Sequence, residues 1–322
     1  MAEPPYGEIV DLMKSGQVVP FLGAGVNFGT RQSGAKWDEK AATFLPSGAE
    51  LSRFLAAKSN FPSQDDRDLA DLAKVASYFV ETSKRSRLCK RLHDVFDRDF
   101  EPTSIHSYLA EVPAPMLIVT TNYDDLLEQA FVKAGKPYDL VIHPTDRKEV
   151  EASVLWWRHK EEKPETIPPN RLDIDLNTTT VIYKMHGTVD RQLKQWDSWV
   201  ITEEDYVDFL SRMTGQTAVP APFMRHFRAR NFLFMGYGLN DWNLRVVLNN
   251  LRGVMPGEAT APADDDEEEM CSWAIQFRPS DLEVELWGAR NVKIYNVDIN
   301  EFVKQMREED GGGAPDTLKA TR

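Results

Sequence analysis

The sequence has 322 residues, of which 42% are hydrophobic and 28% charged, and its formal net charge is −13. This composition is that of a globular protein with a core large enough to fold unaided, and the length allows about two domains or one large α/β domain. The negative charge argues against direct binding of nucleic acid or an anionic membrane, and two cysteines exclude a disulfide framework and a four-cysteine zinc site.

Six short runs of apolar, β-branched or aromatic residues are predicted to be strands. Several are apolar throughout, which is typical of parallel strands covered by helices on both faces. Pro20 in the first run would ordinarily indicate an edge strand, but the glycine-rich turn that follows favours a strand leading into it. The six runs are Val18–Leu22, Met116–Thr120, Val181–Met185, Phe232–Met235, Cys271–Phe277 and Val292–Val297.

Amphipathic helices with a polar capping residue are predicted between these runs. Ser47 would cap a helix that begins at residue 48, Thr202 with Asp205 forms a capping-box pattern, and Asp241 would cap a third helix. Alternating strands and helices predict an α/β fold: a Rossmann-like, doubly wound, mostly parallel sheet of about six strands with an additional helical layer or small lobe.

Several segments depart from this alternation. Residues 60–112 are predicted to be consecutive helices beside the sheet, and residues 144–178 an insertion or small lobe placed to gate the site. Residues 256–268 are predicted to be an acidic solvated loop, and residues 306–322 a disordered tail. The catalytic domain would then span residues 1–305.

No membrane association is expected. No apolar run reaches the roughly 20 residues that span a bilayer. The N-terminal segment lacks the basic and apolar regions of a signal peptide. We therefore expect a cytoplasmic protein.

Four predicted strands end in glycine or polar residues, and the carboxyl edge of a doubly wound sheet is where such folds bind ligands. Glycines directly after the first strand let the backbone approach a pyrophosphate and leave N–H groups free to bind it, although a tight turn explains the same glycines. The four segments are Gly23-Ala24-Gly25-Val26-Asn27, Thr121-Asn122-Tyr123-Asp124-Asp125, His186-Gly187 and Gly236-Tyr237-Gly238-Leu239-Asn240-Asp241.

His186 and Asn122 are the candidate reactive residues, because both follow apolar strands at the same edge. An imidazole can exchange a proton near neutral pH, and the glycine after His186 would leave room for a ligand. The other five histidines lie in predicted helices or loops. Helix capping is the alternative role for the residues after Asn122, and it is expected to explain at least one of Asp124 and Asp125.

Together and in this order, the four segments resemble the motifs of the sirtuin-like NAD-binding family. His106 also lies where that family has a histidine before the strand that ends in Asn-x-Asp. The resemblance extends from about Gly16 to Phe302. Residues 23–27 are similar to Gly-Ala-Gly-x-Ser, residues 120–124 to Thr-Gln-Asn-Ile-Asp, residues 186–187 to His-Gly, and residues 236–239 to Gly-Thr-Ser-Leu.

The sequence also departs from the protein-deacetylating sirtuins. It lacks their four zinc-binding cysteines, and it has Thr121 in place of a glutamine and Asn27 in place of a serine. This pattern resembles the bacterial antiphage-defence branch, whose members hydrolyse NAD to ADP-ribose and nicotinamide in abortive infection. The resemblance implies NAD as substrate, no metal, and control through a homo-oligomer or a separate sensor such as an Argonaute-like protein or a hexameric ATPase.

The resemblance implies a role for each motif. Asn122 would position the ribose or the attacking water, His186 would be the general base, and Asp124 would contact the nicotinamide carboxamide. The backbone of residues 23–26 would hold the pyrophosphate, and residues 236–239 the adenosine-side ribose. Asn27, Thr121 and Asp241 complete the predicted NAD-binding set.

Two alternatives stay open at this point. The chain could transfer ADP-ribose or remove an acyl group from a protein, although the missing cysteine lobe counts against deacylation. It could also be a non-catalytic sensor of NAD or ADP-ribose. Labelled NAD would separate transfer from hydrolysis, and calorimetry would detect binding without nicotinamide release.

Overall fold

A computed structural model describes residues 3–32, 34–145, 150, 152–192, 194–214, 218–237 and 271–311. A nine-stranded sheet lies at its centre, parallel except at one edge. The predicted α/β class, with a mostly parallel doubly wound sheet, is confirmed. The sheet has more strands than the six predicted.

The described residues form eleven strands, and their order across the large sheet is β11-β10-β9-β1-β2-β6-β3-β4-β5, with β7 and β8 paired in a separate hairpin. All six predicted runs are strands in the structure, within two residues at either end. The strands are β1 (Val18–Leu22), β2 (Leu117–Thr120), β3 (Asp139–Ile142), β4 (Val154–Trp157), β5 (Glu165–Ile167), β6 (Val181–Lys184), β7 (Gly187–Thr188), β8 (Ser198–Trp199), β9 (Asn231–Met235), β10 (Ser272–Ile275) and β11 (Val292–Tyr295).

Eleven α-helices lie within the described residues, and none of them is long and apolar enough to cross a bilayer. They are α1 (Tyr6–Lys14), α2 (Gly48–Ser59), α3 (Asp66–Ala70), α4 (Leu72–Ser83), α5 (Arg85–Phe96), α6 (Ser104–Glu111), α7 (Leu126–Ala134), α8 (Glu203–Thr214), α9 (Ala221–Arg228), α10 (Asp281–Gly288) and α11 (Ile299–Gly311). Two 3-10 helices cover Ala24–Thr30 and Pro169–Arg171.

Two of the predicted helix starts are confirmed by their capping bonds. Ser47 Oγ accepts the Glu50 N–H at 3.1 Å, and Glu50 Oε2 accepts the Ser47 N–H at 2.9 Å. Thr202 Oγ1 and the Asp205 N–H are 3.2 Å apart, and the Thr202 N–H reaches Asp205 Oδ2 at 2.9 Å. These reciprocal bonds satisfy amides that a helix start leaves without partners. The third predicted cap, Asp241, lies outside the described residues.

Pro20 lies in a central strand, although prolines are usually confined to sheet edges. Gln17 O accepts the Asn231 N–H, and the Gly23 N–H donates to Met235 O, so the backbone groups of residues 17 and 23 point toward β9. Backbone groups of successive residues in a strand point to opposite sides. Those of Pro20 therefore point toward β2. The ladder between β1 and β2 pairs only Phe21 and Leu22. Pro20 precedes these paired residues, so its lack of an N–H removes no hydrogen bond between β1 and β2.

The strands that the sequence analysis missed are β3, β4 and β5 of the large sheet and the two short strands of the β7–β8 hairpin. Two of them lie inside residues 144–178, where β4 pairs antiparallel with β3, and β5 with β4. The described part of the predicted insertion thus extends the large sheet at one edge. β3 and β4 contain apolar runs of only three and four residues next to charged segments, and β5 contains none.

The helical layer predicted for residues 60–112 is present as α3, α4, α5 and α6. Its helices α4 and α5 share a buried apolar cluster with α2, with Tyr123 after β2 and with Trp199 of β8. This cluster holds the layer against the carboxyl edge of the sheet. The two faces of the sheet are covered by separate clusters, one containing Phe21 and the other Leu22.

The C-terminal boundary was placed too early. Helix α11 continues to Gly311, past residue 305 where the predicted tail begins. Phe302, Val303 and Met306 face the core from this helix, and Met306 is fully buried. Apolar residues at this spacing stabilise the helix despite the acidic residues after them. Residues 312–322, and the acidic loop predicted at 256–268, lie outside the described residues.

Candidate active site

A cleft opens at the carboxyl ends of the central strands. β1 lies between β2 and β9, and the chain first builds the sheet on the β2 side and later on the β9 side. The strand order therefore reverses at β1, and doubly wound sheets bind ligands at such a switch point. The cleft holds about 820 Å³ of empty space, including solvent at its mouth. Seven predicted site residues line it: Ala24, Asn27, Thr121, Asn122, Asp124, His186 and Tyr237.

The remaining predicted residues are behind the cleft or outside the described residues. Gly23, Gly25 and Gly236 are required by close packing between two turns, because a Cβ at Gly25 would lie 2.8 Å from Gly236 Cα. The Gly25 N–H donates to Gly236 O at 2.9 Å, and the Val26 N–H to Gly23 O at 3.1 Å. The prediction that the N–H groups of this turn are free to bind a pyrophosphate is therefore wrong for Gly25 and Val26.

The 3-10 helix that follows β1 begins with the N–H groups of Ala24, Gly25 and Val26. The last two donate within the turns, so the Ala24 N–H is the one of these three that can bind a ligand. A helix start offers N–H groups to anions, and Ala24 lies in the cleft wall. Gly238, Leu239 and Asp241, three more predicted NAD-binding residues, lie outside the described residues.

Asn27 and Asp124 form a buried pair on the cleft wall. Asn27 Nδ2 donates to Asp124 Oδ2 at 2.8 Å, and Asp124 Oδ1 accepts the Leu126 N–H at 3.2 Å. Asp124 thus takes part in starting α7, as the capping alternative expected, while it also faces the cleft. Asn27 Oδ1 is buried and has no hydrogen-bond partner among the described residues. A buried amide oxygen without a partner, on a cleft wall, is an acceptor for a ligand.

Asn122 is held by hydrogen bonds to the end of β1 and to β2. Its Nδ2 donates to Gly23 O at 3.2 Å, and its N–H donates to Thr120 Oγ1 at 3.0 Å. Thr121 and Tyr237 meet in front of the same strand ends, with their hydroxyl oxygens 2.9 Å apart, and the Tyr237 hydroxyl donates to Leu22 O at 2.8 Å. These bonds tie the loops after β1, β2 and β9 into one wall.

His186 follows β6 and projects into the cleft. Its ring packs edge-on against Tyr206 and Phe209, with centroids 5.3 and 5.5 Å away. Within the described residues neither ring nitrogen makes a hydrogen bond. Burial lowers the pKa of His186 to about 3, so the imidazole is neutral at physiological pH. The neutral imidazole is the form that can accept a proton, and the burial that keeps it neutral also makes it a weaker base than an exposed histidine.

Gly187 does not leave room for a ligand, contrary to prediction. Its φ is +93°, and a Cβ there would lie 2.0 Å from Ser198 O in the paired strand β8. The glycine is needed because β7 and β8 approach closely beside His186.

His143 is a second buried histidine near His186, and the sequence analysis placed it in an ordinary loop. It follows β3, its N–H donates to Lys184 O at 3.0 Å, and its ring lies 5.0 Å from Phe209 on an edge-on contact. Burial lowers its pKa to about 3, and the neighbouring Arg212 and His186 act in the same direction. Its Nδ1 is buried without a partner in the described residues. Only recognition of β3 could have shown that His143 ends a strand at this edge.

His106 supports the cleft from behind. Its Nδ1 accepts the Thr103 N–H at 3.1 Å, and the Thr103 hydroxyl donates to Val26 O at 3.0 Å. Burial lowers the pKa of His106 to about 4, against the opposing charge of Asp124. The histidine predicted from the family resemblance therefore anchors the 3-10 helix.

The wall opposite the strand ends comes from the start of α2 and from the helical layer. No described residue of 144–178 lines the cleft, and the role of this segment as a gate stays a prediction. The strand pairing of β4 and β5 carries that segment to the far edge of the sheet. The lining residues of this wall that the sequence analysis did not select are Pro46, Ser47, Gly48 and Leu51, at the start of α2, and Leu72 and Phe96 of the helical layer.

No group of three His, Cys, Asp or Glu side chains arranged to hold a metal is found among the described residues. A family model described as "SIR2-like domain" matches residues 116–295, more than half of the chain. The chain belongs to the SIR2-like family. The predicted family is thus confirmed, and the matched range contains Asn122, Asp124 and His186.

Relatives of known name are also similar to this SIR2-like chain. The NAD(+) hydrolase ThsA of Acinetobacter baumannii (strain 532279) is 30% identical over 204 residues, covering 63% of this chain and 35% of the relative. The NAD(+) hydrolase ThsA of Bacillus cereus (strain MSX-D12) is 23% identical over 280 residues, covering 82% and 50%. Defense-associated sirtuin 2 of Bacillus subtilis is 21% identical over 246 residues, covering 76% and 20%. The chain spans half or less of the length of these relatives.

Proposed function

We propose that this SIR2-like chain hydrolyses NAD to ADP-ribose and nicotinamide. The observation that carries the proposal is that Asn122, Asp124 and an unpartnered His186 line one cleft at the switch point of the sheet. The names of the ThsA relatives support the same reaction.

The cleft offers groups suited to a dinucleotide. Asn27 Oδ1 is an acceptor for ribose hydroxyls, and the Ala24 amide at the start of a 3-10 helix is a donor for phosphate oxygens. Aromatic side chains complete the wall, as in most nucleotide sites: Phe21, Phe96, Tyr123, Tyr206 and Tyr237.

The reaction needs a base but no acid. Water attacks C1′ of the ribose while the bond to nicotinamide breaks, and the bonding electrons leave with nicotinamide, which becomes neutral. The neutral His186 imidazole takes the proton that the water loses. Asn122, held by Gly23 O, orients the ribose or the water through the rest of its amide.

Asp124 fixes the floor of this site. Its carboxylate is shared between Asn27 Nδ2 and the Leu126 N–H, which ties the 3-10 helix after β1 to the start of α7. A carboxylate held in this way accepts the carboxamide N–H of nicotinamide with little reorganisation.

We extend the proposal to a role in antiphage defence, which the name of the Bacillus subtilis relative supports. A hydrolase of NAD has to be restrained in a resting cytoplasm, since NAD is always present. We therefore include control by a homo-oligomer or by a separate sensor protein, as the resemblance implied.

Single substitutions test the assignment. We expect His186→Ala and Asn122→Ala to lower kcat by about 10²–10⁴-fold with NAD, since each removes a group that acts in the transition state. His159→Ala is the matched control, because His159 is exposed and lies outside the cleft. Nicotinamide release is followed by chromatography. Either cleft variant turning over at the wild-type rate would contradict the proposal.

A further inference from the structure

Lys184 is a fully buried lysine beneath the cleft. It is the last residue of β6, pairs with Thr120 of β2 and Ile142 of β3, and has no exposed surface. It precedes His186 by two residues. None of the motifs described above includes it.

The ammonium group of Lys184 makes three contacts, matching its three N–H donors. It donates to Glu128 Oε1 at 2.7 Å, to Tyr123 O at 3.4 Å and, in a shorter contact, to Asp124 O. Two of the three acceptors are therefore backbone carbonyls of the loop that carries Asn122 and Asp124.

Core stability alone does not explain this arrangement. Burying two charges costs several kcal/mol each, and apolar residues of similar volume usually serve a core as well or better. The pair also leaves Glu128 Oε2 buried without a partner among the described residues. The bonds to the two carbonyls are what a hydrophobic replacement could not reproduce.

The position of these carbonyls links the two halves of the site. Tyr123 O also accepts the Val189 N–H at 2.9 Å, from the strand hairpin after His186. Lys184 thus joins the end of β6, which carries His186, to the loop after β2, which carries Asn122. A displacement of about 1 Å between such groups can cost about 10²-fold in rate.

We propose that Lys184 is a positioning residue, whose bonds to Tyr123 O and Asp124 O set the placement of the Asn122–Asp124 loop relative to His186. The proposal rests on the proposed NAD hydrolysis for its kinetic effect, but its structural content does not depend on that reaction. Glu128 acts only as the counter-ion that allows the ammonium to stay buried.

The test compares a neutral pair with the native ion pair. Lys184→Met alone would leave the Glu128 carboxylate buried without a cation, so the main variant is the double substitution Lys184→Met with Glu128→Leu. We expect it to fold with a Tm close to that of the wild type, because the ion pair is replaced by apolar contacts. We expect kcat for NAD to fall by about 10²-fold, with KM changed much less.

Lys133→Met is the matched control. It removes the exposed ion pair between Lys133 and Glu101, at 2.5 Å, from the helix that follows the same loop. We expect unchanged kinetics and Tm for this variant. A double variant that fails to fold, or that folds and turns over NAD at the wild-type rate, would overturn the proposal, because Lys184 would then serve the core alone.

Hydrogen exchange separates this proposal from the proposed reaction. We expect the amides of residues 122–125 to exchange about 10-fold faster or more in the double variant than in the wild type, without NAD present. Unchanged exchange would overturn the positioning role. A wild-type protein that releases no nicotinamide would instead overturn the proposed reaction, and the exchange result would still decide the role of Lys184.

Discussion

Asn27 Oδ1 and His143 Nδ1 are among the buried polar atoms that have no hydrogen-bond partner in the described residues. Each such atom costs about 1–3 kcal/mol of folding stability when it is left without a hydrogen bond. Asn27 lines the cleft, so a ligand that donates a hydrogen bond to its Oδ1 would offset this loss of stability. His143 does not line the cleft, and its ring and that of His186 both contact Phe209.

The pH dependence of the reaction follows from His186. Burial lowers its pKa to about 3, so the base form predominates at every pH above about 4. We expect kcat/KM for NAD to be nearly constant between about pH 5 and pH 8, because this parameter reports the free enzyme. Initial rates measured across this range provide the check. An acid limb centred near pH 6.5, the value of an exposed histidine, would contradict the burial of this side chain.

At the level of elements, the apolar runs identified the central strands because those strands are buried on both faces, and the polar residues after them therefore located the site. The short edge strands were not found in this way, because β3 and β4 have apolar runs of only three and four residues next to charged segments and β5 has none. His143 was missed for this reason. The role of Gly236 was also hidden, because its contact with Val26 is made between residues more than 200 positions apart.

Replacing Gly236 tests the contact between the two glycine turns. Its φ is +77°, and an added Cβ would lie 2.5 Å from Val26 N and 2.7 Å from Gly23 O. Gly135, with φ +67° and no atom within 4 Å of an added Cβ, is the matched control for backbone strain alone. We expect Gly135→Ala to cost about 1–2 kcal/mol of unfolding free energy, and Gly236→Ala to cost more and to reduce NAD turnover. Denaturant unfolding and rate measurements check this. Equal losses in the two variants would show that the turns do not need to touch.

For the whole molecule, the sheet and the helical layer enclose several histidines that are neutral when folded. Burial lowers the pKa of His106 to about 4 and those of His143 and His186 to about 3, compared with about 6.5 in the unfolded chain. Below pH 6.5 the unfolded chain binds protons that the folded protein excludes. The free energy of unfolding therefore falls as the pH falls from 6.5 toward 4.

Thermal unfolding between pH 8 and pH 5 measures this effect. We expect Tm to be nearly constant above pH 7 and to fall below pH 6.5, with a loss of about 1.4 kcal/mol per pH unit for each buried histidine. His143→Asn should reduce the slope, whereas His159→Asn, at an exposed position, should not. A Tm that stays level from pH 7 to pH 5 would be inconsistent with these buried neutral rings.

How the helical layer completes the cleft is a property of the whole molecule that the sequence did not reveal. Ser47 and Leu51 were recognised as parts of a capped amphipathic helix, but nothing local indicates that this helix faces Asn122 across the cleft. The contact depends on the apolar cluster that joins the layer to Tyr123 and Trp199. Long-range packing of this kind has no short sequence signature.

Product analysis with labelled NAD tests the central claim most directly. The purified full chain is incubated with NAD that carries label in its adenosine half, and the products are separated by chromatography. We predict equal amounts of nicotinamide and free labelled ADP-ribose, with both lost in His186→Ala. Label attached to protein would instead indicate an ADP-ribosyltransferase, and calorimetric binding of NAD without nicotinamide release would indicate a sensor. Either result would contradict hydrolysis at this cleft.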